Sequence, residues 1–149
     1  NIARDILEDA ERGRLYVPST LLDAPVSCEG LTRGDADQRA NAYQGAMRML
    51  DIADEYYASA ALGYGYLPPS VRQAIKVAAR LYQAIGEKVS RNESAYWQRR
   101  TVVSTERKCL LIAELFVQRM RDGSSTLKVG KYQHAEHLHL ALDQRRFTA

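Results

Sequence analysis

Asn1, Asp5 and Asp9 recur at every fourth residue, and on an α-helix that interval stacks their side chains on one face. An amide oxygen and two carboxylates in such a ladder offer hard oxygen ligands to a hard cation. Two carboxylates at this spacing repel each other by about 0.2–0.5 kcal/mol on an isolated helix, and a cation between them removes that cost. Magnesium suits the role, because it takes oxygen ligands and shares its shell with substrate phosphates. Manganese accepts the same donors. Glu8 lies beside the ladder, Arg4 precedes Asp5, and Arg12, Arg14 and Tyr16 follow. A DxxxD pair by itself most often marks a solvated helix face. Joined to these guanidinium groups, it describes a place where metal and arginine together neutralise a diphosphate.

The ladder needs a helix to carry it. Ile2, Ile6 and Leu7 supply apolar positions between the polar ones, and Gly13 is a stop, so a first helix is predicted from Asn1 to about Arg12. Arg14 to Arg33 holds Pro18, Pro25 and Gly30 around short apolar pieces and reads as an ordered connection. Asp35 caps a long helix carrying Ala40, Tyr43, Met47, Leu50, Ala53 and Tyr57 at helical spacing to Leu62. Pro68-Pro69-Ser70 ends it and opens another, whose stripe Val71, Ile75, Ala78, Tyr82 and Ile85 is predicted to face inward before Gly86 loosens the end. A last helix runs from Glu106 to Asp122, with Leu110, Leu111, Leu115, Phe116 and Met120 as its apolar set and Gly123 as its stop. No alternating strand of useful length occurs. The fold class is all-α, with about four to six helices around a central cavity, a main unit over residues 1–123 and a variable tail over 124–149.

Bulk properties exclude several classes. The 149 residues are 46% hydrophobic and 26% charged, which is globular composition rather than that of a disordered chain. The net charge of +3 arises from 21 basic and 18 acidic residues interspersed along the chain, so no nucleic-acid partner is expected. Cys28 and Cys109 stand apart and outside any CxxC pair, which fits a reducing, cytoplasmic compartment. The longest apolar stretch, from Cys109 to Val117, is broken by Glu114, so no membrane span is predicted.

The sequence Asn1-Ile2-Ala3-Arg4-Asp5-Ile6-Leu7-Glu8-Asp9, followed by Gly13-Arg14-Leu15-Tyr16-Val17-Pro18, resembles the second aspartate-rich motif of the squalene/phytoene synthase family, closest to its bacterial phytoene-forming members. The resemblance continues through Tyr56-Tyr57-Ala58-Ser59-Ala60, Leu67-Pro68, Ala79-Arg80-Leu81-Tyr82, Ile85-Gly86 and Trp97-Gln98-Arg99-Arg100, and fades after about residue 120. It implies a helical isoprenoid synthase fold and a head-to-head condensation of two geranylgeranyl diphosphates to phytoene through a cyclopropylcarbinyl diphosphate intermediate, as in carotenoid biosynthesis. It further implies that Asn1, Asp5 and Asp9 bind magnesium, with manganese as a substitute, and that Arg4 assists the diphosphate. Tyr16, Tyr82 and Arg100 match catalytic positions, and Arg14 and Arg100 join Arg4 as diphosphate-binding candidates.

The chemistry asks for those residue types on its own terms. Expelling diphosphate requires charge neutralisation at the leaving oxygens. The allylic cation left behind requires a dry pocket and electron-rich faces, for which Tyr16, Tyr57 and Tyr82 are candidates, with ordinary core packing an equal alternative for each. The small residues Ala58, Ala60, Ala61, Gly63, Ala74, Ala78 and Ala79 serve either a prenyl channel or close helix packing. Asp51, Asp54 and Glu55 share a face and read as solvated. His134, His137 and His139 with Glu136 lack helical zinc spacing. The resemblance leaves two alternatives: a squalene or dehydrosqualene synthase using farnesyl diphosphate, and a noncatalytic member acting in complex assembly. The missing initiator Met and first aspartate-rich motif lead us to expect a truncated chain, inactive alone. A hydrocarbon product implies peripheral attachment at the inner face of a membrane.

Overall fold

The computed structural model describes residues 1–121 and 136–139. Six α-helices follow one another among them: α1 (Ile6–Glu11), α2 (Cys28–Arg33), α3 (Ala36–Gly63), α4 (Pro69–Val89), α5 (Glu93–Gln98) and α6 (Thr105–Arg121). No strand occurs among the described residues, in agreement with the all-α expectation.

Helix α1 starts later than the sequence suggested. Asn1 to Asp5 form a tight turn in which the Arg4 and Asp5 N–H groups donate to the Asn1 carbonyl at 2.9 and 3.0 Å. The Asp9 N–H then donates to the Asp5 carbonyl at 2.9 Å, so the four-residue interval survives across the turn and into the helix. Gly13, at φ +70°, ends α1 as expected: its N–H bonds to the Ala10 carbonyl and that of Arg14 to the Asp9 carbonyl, both at 2.9 Å.

Two short helices were not foreseen. Helix α2 lies in the predicted connection, where Ser27 accepts the Gly30 N–H at 3.0 Å and buries Leu31. Helix α5 is capped by Asn92, whose side-chain oxygen accepts the Ala95 N–H at 2.8 Å. The long helices match closely. Asp35 caps α3, accepting the Gln38 N–H at 3.0 Å, and Pro69 stands in the first turn of α4.

Gly86 is a contact rather than a stop, since α4 continues to Val89. A Cβ at Gly86 would lie 2.9 Å from Leu50 Cδ2, so the absent side chain is what lets α3 and α4 approach there. The predicted inward stripe of α4 also needs correction. Val71, Ile75, Ala78 and Tyr82 are exposed, and only Ile85 packs against the core. Amphipathicity marks a face that avoids water without naming its cover. The face that meets α6 is instead Leu81, Ala84 and Ile85, against Val103 and Leu111. On α6 likewise Leu111 is buried, whereas Leu110, Phe116 and Met120 are exposed.

The larger core joins Ala3, Ile6 and Ala10 to Val17, Leu31, Ala42, Tyr43, Ala46, Val89 and Tyr96. It therefore lies directly beneath the Asn1–Asp9 segment. Cys28 and Cys109 are both free thiols. Gly123, His134 and the proposed boundary near residue 123 lie outside the described residues. His137 Nε2 stands 3.6 Å from Glu55, and the Tyr56 hydroxyl donates to the Leu138 carbonyl at 3.0 Å.

Candidate active site

Tyr96 of α5 fixes the turn that opens the motif. Its hydroxyl donates to the Ala3 carbonyl at 2.9 Å, immediately before Arg4 and Asp5. Its ring lies between Tyr43, 5.4 Å away and tilted, and Trp97, 4.8 Å away and edge-on. Burial pushes the Tyr96 phenol well above its ordinary range, so it remains a proton donor at any physiological pH. Tyr43 in turn donates to the Val89 carbonyl at 3.0 Å and ties α3 to the end of α4. Three helices thus converge under one turn of backbone.

On that platform the charged groups meet. Arg4 Nε and Nη2 donate to the two carboxylate oxygens of Asp5, each at 2.7 Å. Arg100, from the far side of α5, donates to the same two oxygens at 3.2 and 3.4 Å, and its Nε stands 3.5 Å from Glu8. The paired hydrogen bond from Arg4 holds the Asp5 carboxyl below the usual carboxylate range, outweighing burial, and Arg100 adds to the pull.

The sign of the pH effect follows. A carboxyl whose folded pKa is depressed contributes stability that is complete above its unfolded pKa, about 3.9, and is lost as pH falls through the folded value. Thermal melts between roughly pH 5 and 2 are expected to show a steeper loss of stability in the wild type than in Asp5→Asn. Parallel slopes would show that the Arg4–Asp5 pair contributes no pH-dependent stability.

A cavity of about 980 Å³ is lined by the second half of α3 and by α4, together with Asn1 to Arg4 and with Leu115 and Gln118 of α6. Tyr57 and Tyr82 line it, and burial raises the Tyr57 phenol. Of the small residues, Ala58, Ala61 and Ala79 line it, while Ala60, Gly63, Ala74 and Ala78 do not. A volume near the upper end of ordinary ligand sites suits a long, flexible ligand.

Among the predicted site residues, Asn1, Arg4 and Tyr82 meet in this cavity; Asp5 joins through Arg4, and Arg100 through Asp5. Asp9 lies one turn further along α1, and no hydrogen bond or ion pair among the described residues holds its side chain. Arg14 and Tyr16 are exposed beyond α1 and outside the cavity. Asp51 and Asp54 are exposed, as read, yet they stand at the cavity wall. Tyr96 went unnoticed in the sequence, where the adjacent Tyr96-Trp97 pair beside two arginines was its one signal.

The residues fit a hard cation in donor type, though not as an all-protein cage. No cluster of three or more Asp, Glu, His or Cys side chains close enough to enclose a metal occurs among the described residues. Asn1, Asp5 and Asp9 would hold a cation jointly with phosphate oxygens, which is magnesium's ordinary mode.

Fold and site together define an all-helical protein in which Arg4 and Arg100 pair with Asp5 and in which Asn1 and Arg4 line a cavity. The squalene/phytoene synthase family model matches residues 1–107, and the chain belongs to that family, whose fold is the all-α isoprenoid synthase fold. The 15-cis-phytoene synthase of Enterobacter agglomerans is 41% identical over 115 residues, covering 75% of this chain and 38% of its own length. That of Paracoccus sp. is 39% identical over 100 residues, covering 66% of this chain and 32% of its own length. The Pantoea ananas enzyme is 35% identical over 128 residues, covering 81% and 40%. The chain thus spans about two fifths or less of the length of these curated relatives. No solved structure matches it.

Proposed function

We propose that the full-length protein is a magnesium-dependent prenyltransferase that joins two geranylgeranyl diphosphates head to head to give phytoene. The observation that carries this reading is the Arg4–Asp5–Arg100 cluster, whose Arg4 lines a cavity of about 980 Å³, in a chain similar to several phytoene synthases. Asp5 and Asp9, with Asn1, would hold a divalent cation together with diphosphate oxygens of the substrate. Bound there, the cation supplies positive charge to the departing diphosphate oxygens. Arg4 and Arg100 donate hydrogen bonds to the same group as charge develops on it. Loss of diphosphate from the first prenyl chain leaves an allylic cation; the second chain's double bond adds to it, and loss of a proton closes the ring of the cyclopropylcarbinyl diphosphate, whose own diphosphate then departs before rearrangement and loss of a second proton give phytoene.

The faces of Tyr57 and Tyr82, which line the cavity, are the electron-rich groups that would stabilise that cation. Arg14 and Tyr16 are further candidates from the resemblance, and neither lines this cavity. No helix among the described residues is long and apolar enough to cross a membrane. Release of a hydrocarbon favours peripheral attachment to lipid.

Product analysis decides the reading. The full-length protein, given magnesium and geranylgeranyl diphosphate, is expected to form phytoene and inorganic diphosphate. A hydrocarbon formed only from farnesyl diphosphate would reassign the substrate. No product from either would overturn the enzymatic reading.

A further inference from the structure

Asp5 is a metal ligand in the reading above, yet both of its oxygens already serve guanidinium groups. Arg4 binds it through two bonds of 2.7 Å and is 15% exposed at the side chain. Arg100 binds the same oxygens more loosely, at 3.2 and 3.4 Å, and is 49% exposed. A cation approaching Asp5 alone therefore meets two positive charges and has to displace at least one from the carboxylate. A diphosphate changes the balance, because it presents several charged oxygens in a geometry that a planar guanidinium grips in paired fashion. Arg4 lines the cavity and so can meet such a group there. Arg100 also stands 3.5 Å from Glu8, so leaving Asp5 does not take it out of the site.

We propose that Arg4 and Arg100 are exchangeable counter-ions of Asp5, which keep the carboxylate closed to a lone divalent cation and open it when diphosphate draws the guanidinium groups away. This rests on the reading of Asp5 and Asp9 as cation ligands. Its consequence is obligatory coupling: cation and diphosphate each tighten the other's binding by the same factor. The site thereby resists filling with metal before substrate is present.

The test is Mn²⁺ binding to the full-length protein, followed by electron paramagnetic resonance at fixed free Mn²⁺, with and without inorganic diphosphate. Wild type is expected to bind Mn²⁺ weakly alone and more tightly with diphosphate. Arg100→Gln is expected to raise the affinity for Mn²⁺ alone about two- to fivefold, the scale of a half-exposed ion pair, and to shrink the gain that diphosphate brings. Arg4→Gln is expected to act in the same direction, and Arg4→Lys to restore part of the coupling. Thermal melts exclude variants that fail to fold, and the exposed Arg100 keeps the test available should Arg4→Gln do so. If Asp5→Asn and Asp9→Asn weaken Mn²⁺ binding while neither arginine variant strengthens binding of Mn²⁺ alone, the counter-ion proposal is overturned and the metal site stands. If the aspartate variants leave Mn²⁺ binding unchanged, the metal site itself is lost and the proposal with it.

Discussion

Asp9→Asn in the full-length protein is expected to lower turnover about a thousandfold while leaving thermal stability within roughly 0.5 kcal/mol of wild type. The first half follows from charge. A metal ion that neutralises a leaving diphosphate supplies several kcal/mol of transition-state stabilisation, and about 4 kcal/mol corresponds to three powers of ten in rate. The second half follows from the structure, in which no hydrogen bond or ion pair among the described residues depends on the Asp9 carboxylate. Asn preserves its shape and removes its charge.

Asp5→Asn is the less clean experiment, because it also breaks the bonds to Arg4 and Arg100. The two variants together separate chemistry from folding. Turnover measured across a magnesium titration, beside thermal melts, is the check. Turnover in Asp9→Asn within tenfold of wild type at saturating magnesium would remove Asp9 from the metal site.

The long helices were legible because α3, α4 and α6 carry strong start signals in sequence. Asp35, Pro68-Pro69 and Ser104 sit where helices begin, and each does so through backbone that lacks an internal partner. Helices α2 and α5 are six residues each and too short to show a period. Their caps, Ser27 and Asn92, resemble ordinary loop residues until the bond to the following N–H is seen.

Gly86 misled for a different reason. A glycine read along one helix signals flexibility, whereas its purpose depends on Leu50 from another helix. The same limit applies to the apolar faces of α4 and α6. Their periodicity was correct, but Val71, Ile75, Leu110 and Met120 are only partly covered and remain 40–82% exposed.

At the candidate site, spacing pointed to Asp5 and Asp9 because i, i+4 geometry is local, and the Arg4–Asp5 contact joins neighbours in sequence. Arg100 was named only through resemblance, since 95 residues separate it from Asp5 and nothing local predicts that contact. The presence of Asp51 and Asp54 at the cavity wall depends in the same way on how α3 turns toward α4. Tyr96 had neither kind of signal. Its role arises from contacts with Ala3, Tyr43 and Trp97 that exist only once α1, α3 and α5 have converged.

That convergence makes Tyr96 the uncharged position where a change should cost most. Tyr96→Ala is expected to destabilise the full-length protein by about 3–5 kcal/mol, the range for truncating a buried aromatic ring. Tyr96 is 6% exposed, and its ring contacts are shared with two other aromatics, so the gap has little freedom to collapse. Tyr96→Phe keeps the ring and deletes one donor, leaving the Ala3 carbonyl unpartnered in the core. Its expected cost is smaller, about 1–3 kcal/mol. The Phe variant is the more informative of the two, because it remains folded and loosens only the turn before Arg4 and Asp5. A misplacement on the order of 1 Å in that turn is enough to cost about a hundredfold in rate. Urea unfolding followed by Trp97 fluorescence measures the stability change, and steady-state turnover measures the second effect. A Phe variant with normal turnover would mean that packing alone, without the hydroxyl, holds the turn in place.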